Sequence, residues 1–244
     1  YSSIIPLFRY HSPYLIDVPV NEDGMDLDIL SQKLDKVKPS FIYTVPNFHN
    51  PTGITTSQSH REKLIGLCET HQVPLVEDGF VEEMKYFGKA VLPIKSMDKS
   101  HIVFYLGTFS KILFPGLRLG WICADSYCIE KLTMLKRLFD ISGNHLTQTA
   151  LDLFCRSGGY ETHLKRIHRV YRKRMQTAMK AARWFLPETV CRYTKPFGGY
   201  VFWVTLNDKQ ISEETVRQKL SEAGISVAYG STFFTGKPER ASFR

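Results

Sequence analysis

The stretch that decides the fold is IVFYLGTFSK, residues 102–111. Its first half, Ile102–Leu106, is a short apolar run without polar alternation, which is typical of a strand covered on both faces in an α/β protein. Its second half contains a glycine, two hydroxyl residues and finally Lys111. Because ligands of open α/β sheets lie beyond the carboxyl ends of the strands, Lys111 is the first candidate site residue.

Apolar runs of the same kind flank this stretch on both sides. They are Phe41–Val45, Pro74–Glu77 and Leu119–Ala124, and a helix is predicted near Ser57–His71. Strands that alternate with helices predict an α/β fold with a mostly parallel central sheet. Functional residues are therefore expected directly after each run.

A long amphipathic helix is predicted between Tyr160 and Trp184, where apolar residues recur at three- and four-residue spacing. Its other faces carry Lys165, Arg166, Arg169, Arg172, Lys173 and Arg174. These residues could contact nucleic acid, but no aromatic platform or recognition motif accompanies them, which favours a solvated helix face.

The last part of the chain predicts a smaller second domain. Pro187–Leu206 has the pattern of a strand pair hinged at Gly198-Gly199. A helix near Glu213–Ala223 and a short strand at Ile225–Ala228 follow it. The change from alternating strands and helices to paired strands favours an α+β arrangement there.

Composition limits the classes of function. The 244 residues are 43% hydrophobic and carry a formal charge of +8, which suggests an anionic partner such as phosphate, a carboxylate substrate or nucleic acid. No apolar run approaches the length of a membrane span, and no signal peptide is visible, so a cytoplasmic protein is expected. The five cysteines form no Cys-x-x-Cys pair, which indicates reduced, mostly buried thiols and no zinc site or other metal site.

Polar residues follow the predicted strands in a defined order. Asn50 lies in Asn-Pro-Thr-Gly after the first run, Asp78 follows the second, Lys111 follows the third and Arg118 precedes the fourth. Each signal is weak by itself, because turns and helix caps use the same residues. The order of amide, acid, lysine and arginine is what carries the prediction.

This order resembles the fold-type I enzymes that use pyridoxal 5′-phosphate (PLP), within the class I/II aminotransferases. It is similar in particular to the 2-aminoadipate and kynurenine types and to the aminotransferase-like domains of MocR-type (GntR-family) regulators. The specific motifs are Asn50-Pro51-Thr52-Gly53, Glu77-Asp78, Gly107-Thr108-Phe109-Ser110-Lys111 and Leu117-Arg118-Leu119-Gly120.

The resemblance implies an α/β PLP-dependent transferase fold with a central, mostly parallel sheet flanked by helices and a smaller C-terminal α+β domain. Residues 1–155 would form the large PLP-binding domain. Residues 156–244 would form the connecting helix and the small domain. The resemblance also implies truncation at both ends, with a Gly-Ser-rich phosphate loop and a substrate lid expected before residue 1.

By resemblance, Lys111 forms a Schiff base with PLP and moves a proton between the substrate α-carbon and the cofactor. Asp78 faces the pyridine nitrogen and keeps it protonated. Asn50 donates to the ring oxygen of the cofactor and also contacts the substrate. The Asn50-Pro51 peptide bond is a candidate cis bond.

The resemblance assigns six further positions. Thr108, Ser110 and Arg118 would hold the cofactor phosphate by charge-assisted hydrogen bonds. Tyr1 would stack on the cofactor ring, and Arg244 would bind the substrate α-carboxylate through its planar guanidinium. Phe80 also lies at a cofactor-binding position, but many relatives carry a tyrosine there, so one hydrogen bond to the ring oxygen would be missing.

Two functions stay open. The first is an aminotransferase that moves an amino group from an L-amino acid to a 2-oxo acid, with a homodimer expected. The second is the effector-binding half of a MocR-type regulator, in which DNA is bound only by a separate upstream domain. A non-catalytic α/β domain is a third class, and the amino donor is not encoded in a motif of this chain.

Overall fold

The computed structural model describes residues 3–11 and 14–244. Its strands are β1 (Val20–Asn21), β2 (Gly24–Met25), β3 (Ile42–Thr44), β4 (Leu75–Asp78), β5 (Val103–Thr108), β6 (Gly120–Cys123), β7 (Cys191–Tyr193), β8 (Val204–Leu206) and β9 (Ser242–Phe243). Its α-helices are α1 (Ile4–His11), α2 (Leu27–Leu34), α3 (Gln58–His71), α4 (Ser126–Phe139), α5 (His145–Arg156), α6 (Gly159–Phe185) and α7 (Glu213–Glu222). Short 3₁₀ turns lie at Ile94–Met97, Pro115–Leu117 and Gly230–Thr232.

The central sheet has four strands in the order β3-β4-β5-β6. β3, β4 and β5 are parallel, whereas β6 runs antiparallel to β5, so the prediction of a mostly parallel sheet is confirmed. The first three strands therefore end where β6 begins. We call this the carboxyl end of the sheet.

The two faces of this sheet differ in burial. Ile42, Leu75 and Val103 point to a core that also contains side chains of α2 and α3. Tyr43 and Val76, on the opposite face, stay partly exposed. The prediction that the strands are covered on both faces is therefore wrong for the residues that the structure describes, because α2 and α3 pack against the first face, whereas Phe8 of α1 contacts Tyr43 on the opposite face and leaves it partly exposed. β6 is exposed along its whole length.

The helix α3 begins and ends as its sequence predicts. The N-cap residue Ser57 accepts a hydrogen bond from the backbone N–H of His60 at 3.2 Å. Gln72 ends the helix in the left-handed conformation, with φ of 51°. These two caps fix the segment between β3 and β4, which allows β4 to return parallel to β3.

The helix α6 matches the predicted amphipathic pattern. Leu164, Ile167, Tyr171 and Met175 pack against a second core beneath the loops that follow the central strands. Helix α6 thus joins the two sheets while its basic residues face outward. Within residues 3–11 and 14–244, no helix is both long enough and apolar enough to cross a membrane.

The smaller sheet is antiparallel, in the order β7-β8-β9, which confirms the predicted strand pair. The strand predicted at Ile225–Ala228 is wrong. Ile225 instead donates its N–H to Leu220 at the end of α7, because Gly224 closes that helix at a positive φ of 68°. Ala228 alone pairs with the chain beyond, through two backbone hydrogen bonds with Arg244.

The cysteines are free thiols, and the expectation that most are buried is wrong. Cys68 and Cys191 are buried, Cys128 and Cys155 are partly exposed, and Cys123 is exposed. Cys123 lies on β6, whose four residues are all exposed.

Candidate active site

Polar groups from four chain segments meet at the carboxyl end of the central sheet. β4 ends at Asp78, which pairs with Leu106 of β5, and the turn that contains Lys111 follows β5 directly. The loop that contains Asn50 follows β3. Arg118 lies just before β6 and arrives at the same end because β6 is antiparallel, with Gly120 opposite Thr108.

The carboxylate of Asp78 is held at both oxygens. Oδ2 accepts a hydrogen bond from the Tyr43 hydroxyl at 2.5 Å, and Oδ1 accepts one from the backbone N–H of Phe80 at 3.1 Å. Burial raises the pKa of Asp78, and these two hydrogen bonds oppose that shift because they favour the ionised form. Phe80 therefore contributes to the site through its backbone.

The turn that carries Lys111 is fixed by two distant residues. The Tyr200 hydroxyl donates to the backbone carbonyl of Lys111 at 2.9 Å. The next carbonyl, that of Ile112, lies 2.9 Å from Nε2 of His163 on α6. Ile112 is 2% exposed, whereas Lys111 is exposed. The backbone is thus immobilised while the amine stays accessible.

The Thr108 and Ser110 hydroxyls and the Arg118 guanidinium lie around this turn. Oγ1 of Thr108 accepts from the backbone N–H of Ser110 at 3.1 Å and donates to the carbonyl of Leu119 at 3.3 Å. Arg118 is exposed and has a positive φ of 52°. The Ser110 hydroxyl and the Arg118 guanidinium are donors suited to an anion, and the Thr108 hydroxyl can join them by giving up its hydrogen bond to Leu119.

Asn50 and Arg244 are brought together, as their predicted roles require. Nη1 of Arg244 donates to Oδ1 of Asn50 at 2.7 Å. The guanidinium also lies over the ring of Phe233, 5.3 Å from its centroid. Asn50 is 5% exposed, and the Asn50-Pro51 peptide bond is cis, which confirms that prediction.

The loop before Asn50 packs against the Gly198-Gly199 pair in the connection between β7 and β8. A Cβ atom on Gly198 would lie 2.4 Å from the ring of Phe48, and one on Gly199 would lie 2.6 Å from Cβ of Phe48. Phe48 itself is 1% exposed and has a positive φ of 51°. The absence of side chains at both glycines is what allows this contact.

A buried arginine that the sequence did not reveal supports the same loop. Arg61 on α3 is 0% exposed, and its guanidinium donates to Oδ1 of Asn47 at 2.7 Å and to the carbonyl of Pro46 at 3.3 Å. It also donates to Oγ1 of Thr56 and to the carbonyl of Leu92. These bonds tie both ends of the loop to one side chain.

Glu77 is also buried, and it faces away from Asp78. Its two oxygens accept from the backbone N–H groups of Ile94 and Lys95, each at 2.8 Å. Burial raises the pKa of Glu77 to about 7, although both hydrogen bonds oppose the shift. Glu77 thus stabilises a 3₁₀ turn, while Asp78 faces the candidate site.

Sequence reasoning missed Tyr43, Tyr200 and Arg61. Tyr43 shares a sheet face with Asp78, but that relation depends on the β3–β4 register. Tyr200 lies 89 positions from its partner Lys111, so no local pattern signals the contact. Tyr1, the predicted stacking residue, lies outside the described residues. The remaining predicted residues lie at or beside the carboxyl end of the sheet.

The fold and the site define a class of protein. It is an α/β protein in which an accessible amine, a half-buried carboxylate, an amide and two guanidiniums lie around one end of a mostly parallel sheet. Such a set can bind a ligand that carries anionic groups, and it can move protons between the amine and that ligand.

The chain belongs to the aminotransferase class I and II family, whose model matches residues 1–244. An aromatic-amino-acid aminotransferase 1 from Thermococcus litoralis is 33% identical over 249 residues, covering 100% of this chain and 59% of that protein. A 2-aminoadipate transaminase from Thermus thermophilus is 34% identical over 238 residues, covering 96% of this chain and 59% of that protein. The resemblance found in the motifs is confirmed.

Solved structures show the same fold. A kynurenine aminotransferase from Pyrococcus horikoshii, determined in complex with PMP, superposes with a TM-score of 0.94 at 33% identity. The match covers 100% of this chain and 61% of that chain, so the chain spans less than two thirds of the length of the relatives named here.

An HTH-type transcriptional regulator of Bacillus subtilis, YisV, is 30% identical over 207 residues, covering 85% of this chain and 43% of that protein.

Proposed function

We propose that this chain is the major part of a PLP-dependent aminotransferase that transfers an amino group from an L-amino acid to a 2-oxo acid. The observation that carries this proposal is the convergence of Asp78, Lys111 and the Asn50–Arg244 pair at one end of the central sheet. Each group has the chemistry that one part of such a reaction needs.

The donor set fits PLP, which is a phosphorylated pyridine that carries an aldehyde and a hydroxyl group. The oxygen of that hydroxyl group is called the ring oxygen here. Asp78 is a carboxylate suited to the pyridine nitrogen, and Asn50 suits the ring oxygen. Thr108, Ser110 and Arg118 suit the phosphate, where each charge-assisted hydrogen bond is worth roughly 1.5–3 kcal/mol. PLP, when bound, supplies an electron sink for the carbon that loses its proton.

Lys111 attaches the cofactor through its ε-amine in this proposal. Its backbone is held by Tyr200, so the exposed side chain has a fixed origin from which to reach the substrate α-carbon. Once the amino group of the substrate has taken its place on the cofactor, the freed Nζ of Lys111 would move the proton at that carbon. Arg244 binds the α-carboxylate of the substrate, with its guanidinium oriented by Asn50.

By its resemblance to aminotransferases that carry a tyrosine at this position, Phe80 would leave the site without one hydroxyl. A phenylalanine ring has no hydroxyl, so it donates no hydrogen bond to the ring oxygen of the cofactor. In this proposal Asn50 makes the corresponding bond alone, and we expect a ring oxygen that is less well stabilised as an anion.

The test uses the visible absorption of the lysine-bound cofactor. PLP added to the protein should give a yellow species that Lys111→Ala abolishes and the exposed control Lys99→Ala retains. Identical spectra in the two variants would refute the role of Lys111. Transamination is then tested by a single half-reaction, in which common L-amino acids should yield pyridoxamine phosphate.

A second candidate is the effector-binding part of a MocR-type regulator, which is supported by the match to the Bacillus subtilis regulator. In that case the same site would sense PLP or its adduct, and DNA would be bound by a separate upstream domain. Spectral binding of PLP without pyridoxamine phosphate from any common L-amino acid would favour this candidate. For either candidate we propose a cytoplasmic homodimer.

A further inference from the structure

Tyr43 lies beside Asp78 because of the parallel register of the central sheet. Tyr43 of β3 pairs with Val76 of β4, and Asp78 lies two residues farther along the same strand. Residues two apart on a strand point to the same face. The Tyr43 ring therefore extends along the sheet toward its carboxyl end, and its hydroxyl donates to Oδ2 of Asp78 at 2.5 Å.

The direction of the Tyr43 ring is fixed by aromatic packing. The ring of Phe8 on α1 meets it edge to face, with centroids 5.7 Å apart. Phe8 makes a second edge-to-face contact with Phe41, at 5.4 Å. Such pairs favour a defined ring orientation over a freely rotating one. The Tyr43 hydroxyl is thus held in place by the packing of Phe8 against its ring.

We propose that Tyr43 is a positioning residue that holds the Asp78 carboxylate in register with the pyridine nitrogen of the cofactor. This inference rests on the proposed function, because it assigns Asp78 to that nitrogen. Two donors, the Tyr43 hydroxyl and the backbone N–H of Phe80, each take one oxygen and set the plane of the carboxylate.

The hydrogen bond also controls how basic the carboxylate is. Burial raises the pKa of Asp78, and the bond from Tyr43 is the first of the interactions that oppose this shift. Without it, the carboxylate competes more strongly for the proton shared with the pyridine nitrogen. The pyridine ring of the cofactor would then withdraw electrons less effectively. Deprotonation of the substrate would slow, while substrate binding would stay the same.

The test compares Tyr43→Phe with Tyr127→Phe, a matched control on α4 that is 64% exposed. The first measurement is the pKa of the Asp78 carboxyl in the protein without cofactor, by carbon-13 NMR, with the resonance assigned from Asp78→Asn. We expect Tyr43→Phe to raise this pKa and the control to leave it unchanged. An unshifted pKa would overturn the inference.

The second measurement uses the PLP-loaded protein. We expect Tyr43→Phe to lower kcat roughly ten- to hundred-fold with KM nearly unchanged, which is the range of one hydrogen bond to a charged group. A Tyr43→Phe protein that binds PLP and turns over like the wild type would overturn the inference alone. A wild-type protein that binds no PLP would instead overturn the proposed function, and the positioning role with it.

Discussion

Nη1 of Arg244 lies 2.7 Å from Oδ1 of Asn50, although 194 positions separate the two residues. The backbone of Arg244 is fixed by two hydrogen bonds with Ala228, so the guanidinium has a defined origin in the smaller sheet. Asn50 belongs to the loop after β3 of the central sheet. The candidate substrate site is therefore assembled from both sheets, and neither sheet supplies it alone.

Arg244→Lys should weaken binding of the amino donor. An ammonium cannot reproduce the planar guanidinium that binds a carboxylate through two parallel hydrogen bonds, so the KM of the donor should rise about ten-fold or more. The dissociation constant of PLP should change little, since Arg244 is assigned to the substrate. Steady-state kinetics and PLP titration would measure both quantities. Arg192→Lys, at an exposed position of β7, is the control, and an unchanged KM in Arg244→Lys would contradict the assignment.

Two glycine substitutions should change stability in opposite directions. A Cβ atom on Gly198 would lie 2.2 Å from the carbonyl oxygen of Met84, so Gly198→Ala should lower the free energy of unfolding by about 1–3 kcal/mol. Gly66, inside α3, has no heavy atom within 4 Å of such a Cβ. Gly66→Ala should raise the free energy of unfolding by about 0.5–1 kcal/mol. Urea denaturation measures both free energies of unfolding. Equal changes in the two variants would contradict the close contact between Gly198 and Met84.

The sequence predicts most elements of this fold and the order of the site residues. Apolar runs locate β3, β4 and β5, and the polar residues that follow them, Asp78 and Lys111 among them, lie at one end of the sheet because the strands are parallel. Contacts that depend on the strand register, such as the hydrogen bond between Tyr43 and Asp78, cannot be predicted from the sequence pattern. The strand predicted at Ile225–Ala228 failed because the closure of α7 outweighed the β propensity of isoleucine and valine.

Burial on the second face of the sheet is a further quantity that the sequence did not predict correctly. An apolar run indicates that a strand can be covered on both faces, but the covering element must come from elsewhere. Phe104 and Leu106 are partly exposed within the described residues, whereas Val103 is fully buried. The apolar pattern of a strand therefore shows that its faces can be buried, but it does not identify the element that packs against them.

Arg61→Ala should be strongly destabilising. The guanidinium is buried and makes hydrogen bonds to Asn47, Thr56 and two backbone carbonyls, so truncation leaves these acceptors unpaired. A buried acceptor left without its donor costs about 1–3 kcal/mol, so the loss of several at once should cost about 3 kcal/mol or more. Thermal or urea denaturation would measure the loss. Arg192→Ala, on the exposed surface, should change stability by less than about 0.5 kcal/mol. A similar, small effect in both variants would contradict the supporting role of Arg61.

His49 should make the protein less stable in mild acid. Its Nδ1 lies 2.8 Å from Oγ1 of Thr52, and burial lowers its pKa from 6.5 to about 4. Between these pH values the unfolded chain binds a proton that the folded protein excludes. The free energy of unfolding should therefore fall as the pH drops from about 6.5 to about 4, and this contribution is fully present above 6.5.

His49→Asn removes the group that titrates, so the variant should lose less stability than the wild type when urea denaturation is repeated at pH values across this window. Other acids with raised pKa values, such as Glu77, act equally in both proteins and cancel in the comparison. His145→Asn, at an exposed position at the start of α5, should follow the wild-type curve. If His49→Asn and the wild type lost stability in parallel, the buried imidazole would not be the source of the pH dependence.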